Sequence, residues 1–313
     1  MNQLKLAIIG IGHLGSLHLK IFKGFTKKVE VVAICDTKKE STQLLAKEFG
    51  IPLCVTDYTE LLGKVDAVSI CTPTESHYEI GKFFLSNNVH VFIEKPIAKT
   101  VEQAEVLTAL AFEHDVKLQI GHVERFNTAF QSVIQFTNHP LFIECHRLNK
   151  FPNRSLDIGV IMDLMIHDID IILALNKSPI REIRATGIPV LTALEDIASV
   201  RITFDNGCVC NLTASRVSEE VMRKIRIFQK NSYISLDYVK QEAFIYKKHE
   251  NEIVKYSLPI EKEQPLKKEL EHFLDCIILN QTPYVTGREG IEALRVALEI
   301  IDHIWKSQQT ILL

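Results

Sequence analysis

The sequence predicts an α/β protein in two parts: an N-terminal doubly wound, mostly parallel sheet, then a C-terminal α+β domain with a large, mostly antiparallel open sheet. Three observations predict it. Apolar strand-like runs alternate with helix-like segments as far as about residue 121, the rhythm of a parallel sheet with crossover helices. From Arg181 the pattern changes to closely spaced strand-like runs, with a hairpin signal at Asp205-Asn206-Gly207. A chain of 313 residues also exceeds the length at which one hydrophobic core usually stops growing. The boundary is placed after residue 121, giving domains 1–121 and 122–313.

Composition excludes several classes of function. The formal net charge is -3 and there is no basic block, so nothing draws nucleic acid or an anionic membrane. No apolar run approaches the roughly 20 residues a bilayer span needs. A strand pattern begins within a few residues of the N-terminus, which leaves no room for a signal peptide and predicts a cytoplasmic protein. There are seven cysteines, an odd number. Cys35 and Cys71 end apolar runs, and Cys208 and Cys210 alternate along a strand-like segment, so reduced thiols and no structural metal are expected.

In order, Leu4 to Ile9 reads as a buried strand and leads into Gly10-Ile11-Gly12-His13-Leu14-Gly15 and an amphipathic helix. This is the arrangement of a dinucleotide-binding (Rossmann) turn. Gly10 permits the tight turn, Gly12 lets backbone approach a pyrophosphate, Gly15 lets helix and strand pack closely, and the helix N-terminus supplies amide donors. The second strand, Val29 to Cys35, ends at Asp36, where the fingerprint's acidic residue belongs. A carboxylate there accepts ribose hydroxyls and repels a 2′-phosphate, favouring NAD over NADP; Lys38 and Lys39 temper that preference, and a helix N-cap is the bland alternative for Asp36. There follow a helix at about Lys38 to Phe49, a short strand near Leu53, a strand Ala67 to Cys71 running into Thr72-Pro73, and a helix near Ser76 to Ser86 with His77 in its first turn. The strand ending at Glu94-Lys95-Pro96, a helix Val101 to His114 and a strand Lys117 to Ile120 complete the first part. Lys95 places an ammonium at the carboxyl end of a strand, where ligands bind in open α/β sheets; pairing with Glu94 on the surface is the alternative.

Between the two sheets, Asp157 to Leu173 is apolar almost all round as a helix, and therefore buried. Asp163, His167 and Asp170 recur at i, i+4 and i+7 along one stripe of it. A carboxylate one turn from an imidazole can orient it as a general base; a hydrogen-bonded core histidine is the alternative. The second part reads as strands Ile183 to Ile188, Ile197 to Phe204, Val209 to Ala214, Lys224 to Phe228, Tyr233 to Leu236, Ala243 to Tyr246 and Ile253 to Tyr256. Helices follow at about Pro265 to Leu279 and Gly290 to Trp305.

Together and in this order, the glycine fingerprint, Cys71-Thr72-Pro73, Glu94-Lys95-Pro96 and Asp163-x-x-x-His167 resemble the glucose-fructose oxidoreductase / inositol dehydrogenase / rhizopine catabolism (Gfo/Idh/MocA) family over essentially the whole chain. Carried over position by position, the resemblance implies catalytic roles for Lys95, Asp163 and His167. It implies that Gly10, Gly12, His13, Leu14, Gly15, Asp36, Cys71, Thr72, Pro73, His77, Glu94 and Lys95 line NAD. His18 and Arg125-Phe126 also look like family positions, while Met165 stands where many members have glycine. Within the family, Gly121 to Asn127 and Met162 to Asp170 are most similar to members that oxidise UDP-N-acetylglucosamine at C3 for lipid A precursors. That implies a nucleotide-sugar substrate facing Lys95, His122, Arg125, Arg154, Asp163 and His167, and a 3-keto product passed to an aminotransferase. An inositol or free-sugar dehydrogenase, a redox-neutral NAD-dependent glycosidase and a non-catalytic NAD-sensing regulator are the other readings. A homodimer or homotetramer formed through the 181 to 257 sheet is expected.

Overall fold

The computed structural model describes residues 3–151 and 158–311. They form two compact units: residues 1–122 with 266–294, and 123–265 with 295–313. What chain order did not reveal is that residues 266–294 return to the first unit.

The first unit is a six-stranded parallel sheet in the order β3-β2-β1-β4-β5-β6. Its strands are β1 (Leu4–Ile9), β2 (Val29–Cys35), β3 (Leu53–Val55), β4 (Ala67–Ile70), β5 (His90–Glu94) and β6 (Leu118–Gly121). Helices α1 (His13–Gly24), α2 (Lys39–Phe49), α3 (Thr74–Leu85) and α4 (Val101–Glu113) connect them. Strands β1, β4 and β5 are buried nearly end to end, as expected where helices cover both faces of a parallel sheet. Helix α7 (Pro265–Ile278) brings Leu270, Phe273 and Leu274 into the core of this unit beside Leu6, Ile8, Leu19, Phe22 and Phe92. The Phe92 and Phe273 rings meet edge to face, 5.8 Å between centroids.

The second unit contains an eight-stranded sheet, ordered β14-β13-β12-β11-β7-β10-β9-β8. Its strands are β7 (Phe142–Leu148), β8 (Ile180–Ile188), β9 (Ile197–Phe204), β10 (Val209–Ser215), β11 (Met222–Gln229), β12 (Ser232–Asp237), β13 (Glu242–His249) and β14 (Glu252–Ser257). All pairings are antiparallel except β7 with β10. Strand β7 was not anticipated, because its inward positions are Ile143, Cys145 and the charged Arg147. One face of the sheet packs inward. On the other, Phe142, Phe228, Tyr233 and Tyr246 form a half-exposed aromatic row across β7, β11, β12 and β13, with centroids 5.6, 5.2 and 4.2 Å apart. Helix α5 (Thr128–Ile134) and a π-helical turn (Ile161–Met165) running into α6 (Ile166–Leu175) belong to this unit. Helix α8 (Gly287–Ile311) closes the described chain. All seven cysteines are free, and no helix among the described residues is long and apolar enough to cross a membrane.

Candidate active site

In the first unit the carboxyl ends of β1, β2, β4 and β5 form a shared edge. Gly10 there has φ +86°, and a Cβ on it would lie 2.8 Å from the Cys71 carbonyl and the Thr72 amide nitrogen. A Cβ on Gly15 would lie 1.8 Å from the Gly10 carbonyl oxygen. Both positions therefore require glycine for the turn itself. Gly12 differs, since a Cβ there meets nothing within 4 Å. It also caps α1 with no side-chain acceptor, so the first amides of that helix are left for an external anion. Gly12 and His13 are exposed and Leu14 is half-buried. The Asp36 carboxylate accepts from the Ile11 amide at 2.7 Å and the Lys38 amide at 3.0 Å, which ties the end of β2 to the glycine turn. These residues fit a dinucleotide: an open glycine, uncapped helix amides and a carboxylate one strand away, in the places such a ligand uses.

Two residues expected to line the cofactor have partners inside the unit. His77 is 1% exposed and its ring nitrogens lie 2.8 and 2.9 Å from the carbonyl oxygens of Thr72 and Pro96. It braces two strand ends rather than presenting a polar atom, and burial holds its pKa below the ordinary histidine value despite those carbonyls. Glu94 is buried with one oxygen 3.0 Å from His18 Nε2 and the other accepting from the Lys95 amide at 3.3 Å. His18 Nδ1 in turn meets Ser69 Oγ at 2.9 Å and Cys71 Sγ at 3.4 Å. Burial opposes charge on this imidazole, yet the Cys71 sulfur and the Glu94 carboxylate outweigh it and lift the pKa to about 10. Lys95, half-buried, follows at the end of β5.

In the second unit the π-helical turn carries Asp163 and the first turn of α6 carries His167, both half-buried. The expected stripe stops there. Asp170 is buried and takes Arg125, whose Nε and Nη2 donate to its carboxylate at 2.6 and 2.8 Å. One edge of the guanidinium fork expected to face substrate is thus occupied inside the unit. Beside it lies a network that the sequence reading missed: Arg147, 2% exposed, donates to both Asp168 oxygens at 3.0 and 2.8 Å and to Glu124 at 2.8 Å. Burial works against the Arg147 charge, but Asp168 and Glu124 more than offset it and hold its pKa above the ordinary arginine value. Since Asp168 follows His167 directly, this clamp fixes the start of α6. The signal in the sequence was a helix apolar all round that still carries Asp168 and Asp170, because buried charges need partners. His122, in the first unit, is 1% exposed. Arg154 and Asp157 lie outside the described residues.

A parallel six-stranded sheet with an open glycine turn and a carboxylate at the neighbouring strand end is the arrangement of a dinucleotide-binding Rossmann domain. Residues 4–122 match the oxidoreductase family described as having an NAD-binding Rossmann fold, and residues 119–234 match the GFO/IDH/MocA C-terminal domain. The chain belongs to the Gfo/Idh/MocA family. It is 34% identical over 307 residues to a UDP-N-acetylglucosamine 3-dehydrogenase of Acidithiobacillus ferrooxidans, covering 96% of this chain and 97% of that one. A solved structure of the enzyme of that name from the same organism superposes with a TM-score of 0.91, covering 97% of this chain and 98% of that one. A scyllo-inositol 2-dehydrogenase (NAD(+)) of Bacillus subtilis is 24% identical, covering 95% of this chain and 93% of that one.

Proposed function

We propose that this chain oxidises a secondary hydroxyl of a nucleotide sugar, UDP-N-acetylglucosamine at C3, with NAD as the hydride acceptor. The observation that carries the reading is the 34% identity, sustained over nearly the full length of both chains, to a protein named for that reaction. NAD is preferred to NADP because the Asp36 carboxylate stands against the glycine turn, where it would accept ribose hydroxyls and repel a 2′-phosphate. Bound NAD supplies the hydride chemistry. For the protein's own residues, His167 takes the hydroxyl proton, Asp163 orients the imidazole, and Lys95 donates a hydrogen bond to the oxygen as it gains alkoxide character. Gly12, His13 and Leu14 receive the pyrophosphate on backbone amides. The 3-keto product has the chemistry that an aminotransferase consumes. The protein acts as a homodimer or homotetramer through the aromatic face of its larger sheet, in the cytoplasm.

A panel of UDP-sugars, free hexoses and inositols, incubated with protein and NAD and followed at the NADH band, tests the substrate. Fastest reduction with UDP-N-acetylglucosamine is expected; faster reduction with myo-inositol or free glucose would eliminate the nucleotide sugar and leave a polyol dehydrogenase. Turnover without net NADH would instead point to a redox-neutral glycosidase. Lys95→Ala should lower kcat by at least about two orders of magnitude, the scale of one positioned donor, while NAD affinity changes little. Undiminished turnover in that variant would remove Lys95 from the mechanism.

A further inference from the structure

On the inward face of the second sheet, Arg147 of β7, Arg223 of β11 and Tyr238 just beyond β12 form a row. Arg223 pairs directly with Arg147 in the β11–β7 ladder, and the Tyr238 amide donates to the Arg223 carbonyl at 2.9 Å. Directly paired residues of an antiparallel ladder project to one face, so Arg223 projects where Arg147 does, toward the segment carrying Asp163, His167 and Asp168.

The three arginines of this neighbourhood differ in one respect. Arg125 and Arg147 each take an aspartate with two nitrogens. Arg223 makes no ion pair among the described residues, and its Nε is buried with no hydrogen-bond partner. The Tyr238 hydroxyl is buried without a partner as well, on a residue 4% exposed. Burial and the like charge of Arg147 pull the Arg223 pKa below the ordinary arginine value, while Glu124, Asp168 and Asp163 act the other way at a distance. A guanidinium does not lose its proton in a protein, so the residue is a half-buried cation held by fields rather than contacts. Were its purpose only to neutralise those carboxylates, the expected arrangement would be the two-pronged contact that both neighbouring arginines make. An unfilled fork of donors within electrostatic reach of Asp163 has the form of a site awaiting an anion.

We propose that Arg223 is the anion-reading residue of the substrate site and takes phosphate oxygens of the substrate's diphosphate. This rests on the nucleotide-sugar reading above and assigns the group within that substrate which the second unit recognises. The test uses the full-length protein with NAD. KM and kcat for UDP-N-acetylglucosamine, and Kd for UDP and for N-acetylglucosamine 1-phosphate by calorimetry, are measured for wild type, Arg223→Met and Arg223→Lys. Loss of a charge-assisted hydrogen bond predicts that Arg223→Met raises KM and the UDP Kd by about 10- to 100-fold, with kcat within about threefold and NAD affinity unchanged. Arg223→Lys, which keeps the charge and loses the fork, should recover part of that loss; it also serves if the methionine variant does not fold. A matching loss for N-acetylglucosamine 1-phosphate places the contact on the sugar-proximal phosphate, and a loss for UDP alone places it on the distal one; both support the assignment. Unshifted UDP affinity in both variants, or a fall in kcat alone, overturns it. Wild-type protein that binds no UDP and reduces NAD only with neutral polyols refutes the nucleotide-sugar reading itself, an outcome read before any variant is made.

Discussion

Two glycines of one turn separate folding from binding. Gly15 faces the Gly10 carbonyl, so Gly15→Ala should lower stability by about 1–3 kcal/mol, the usual cost of overpacking, read as a reduced urea midpoint. Gly12 faces open space, so Gly12→Ala should unfold like wild type yet bind NAD at least about tenfold more weakly, read by fluorescence titration, because its methyl occupies the approach to the pyrophosphate. Equal losses in both variants would contradict that division. The His18 cluster yields a prediction in pH. Its folded-state pKa stands near 10 against an ordinary 6.5, so the folded state favours the charged ring. The stability it contributes is fully present below about 6.5 and drains as pH rises through about 10. The urea midpoint of wild type should therefore fall more steeply between pH 7 and pH 10 than that of His18→Gln. The glycines were legible in the sequence because spacing alone carries their reason. The cluster was not, since His18, Ser69, Cys71 and Glu94 meet only after three strands have paired.

At the scale of elements, the start of α6 depends on β7 and on the short turn at Val123–Phe126, to which it is joined through Arg147. Arg147→Met strips Glu124 and Asp168 of their cation at once. Breaking a buried ion pair in this way costs about 3–5 kcal/mol, which chemical denaturation would resolve. Adding Asp168→Leu to that variant should cost much less than the two single changes summed, because the second change removes a charge already stranded. Simple additivity would show that the two side chains do not act as a unit. The sequence announced α6 by its unbroken apolar character. It misled on Asp170, whose partner Arg125 lies 45 positions earlier, and it hid β7, whose alternation is broken by the arginine that matters most to it. Polar residues that serve a buried network look like surface residues until their partners are known.

For the whole molecule, the half-exposed row of Phe142, Phe228, Tyr233 and Tyr246 is the basis for expecting self-association. Light scattering at micromolar concentration should report a dimer or tetramer, and Tyr233→Asp combined with Tyr246→Asp should shift it toward monomer without loss of secondary structure. A monomeric wild type would remove the aromatic face as an interface. Apart from β7, the architecture of both sheets was legible from the change of rhythm near Arg181, because periodicity follows directly from which faces are buried. The return of residues 266–294 to the first unit was not, because a helix late in the chain carries no mark of the sheet it will cover. That return bears on how the protein is made. The nucleotide-binding sheet emerges first from the ribosome, yet the core around Leu6, Ile8 and Phe92 lacks Leu270, Phe273 and Leu274 until α7 follows, after the whole of the second sheet has been translated. At about 5–20 residues per second the delay is on the order of ten seconds, during which the half-built unit exposes core side chains and is a natural client for a chaperone.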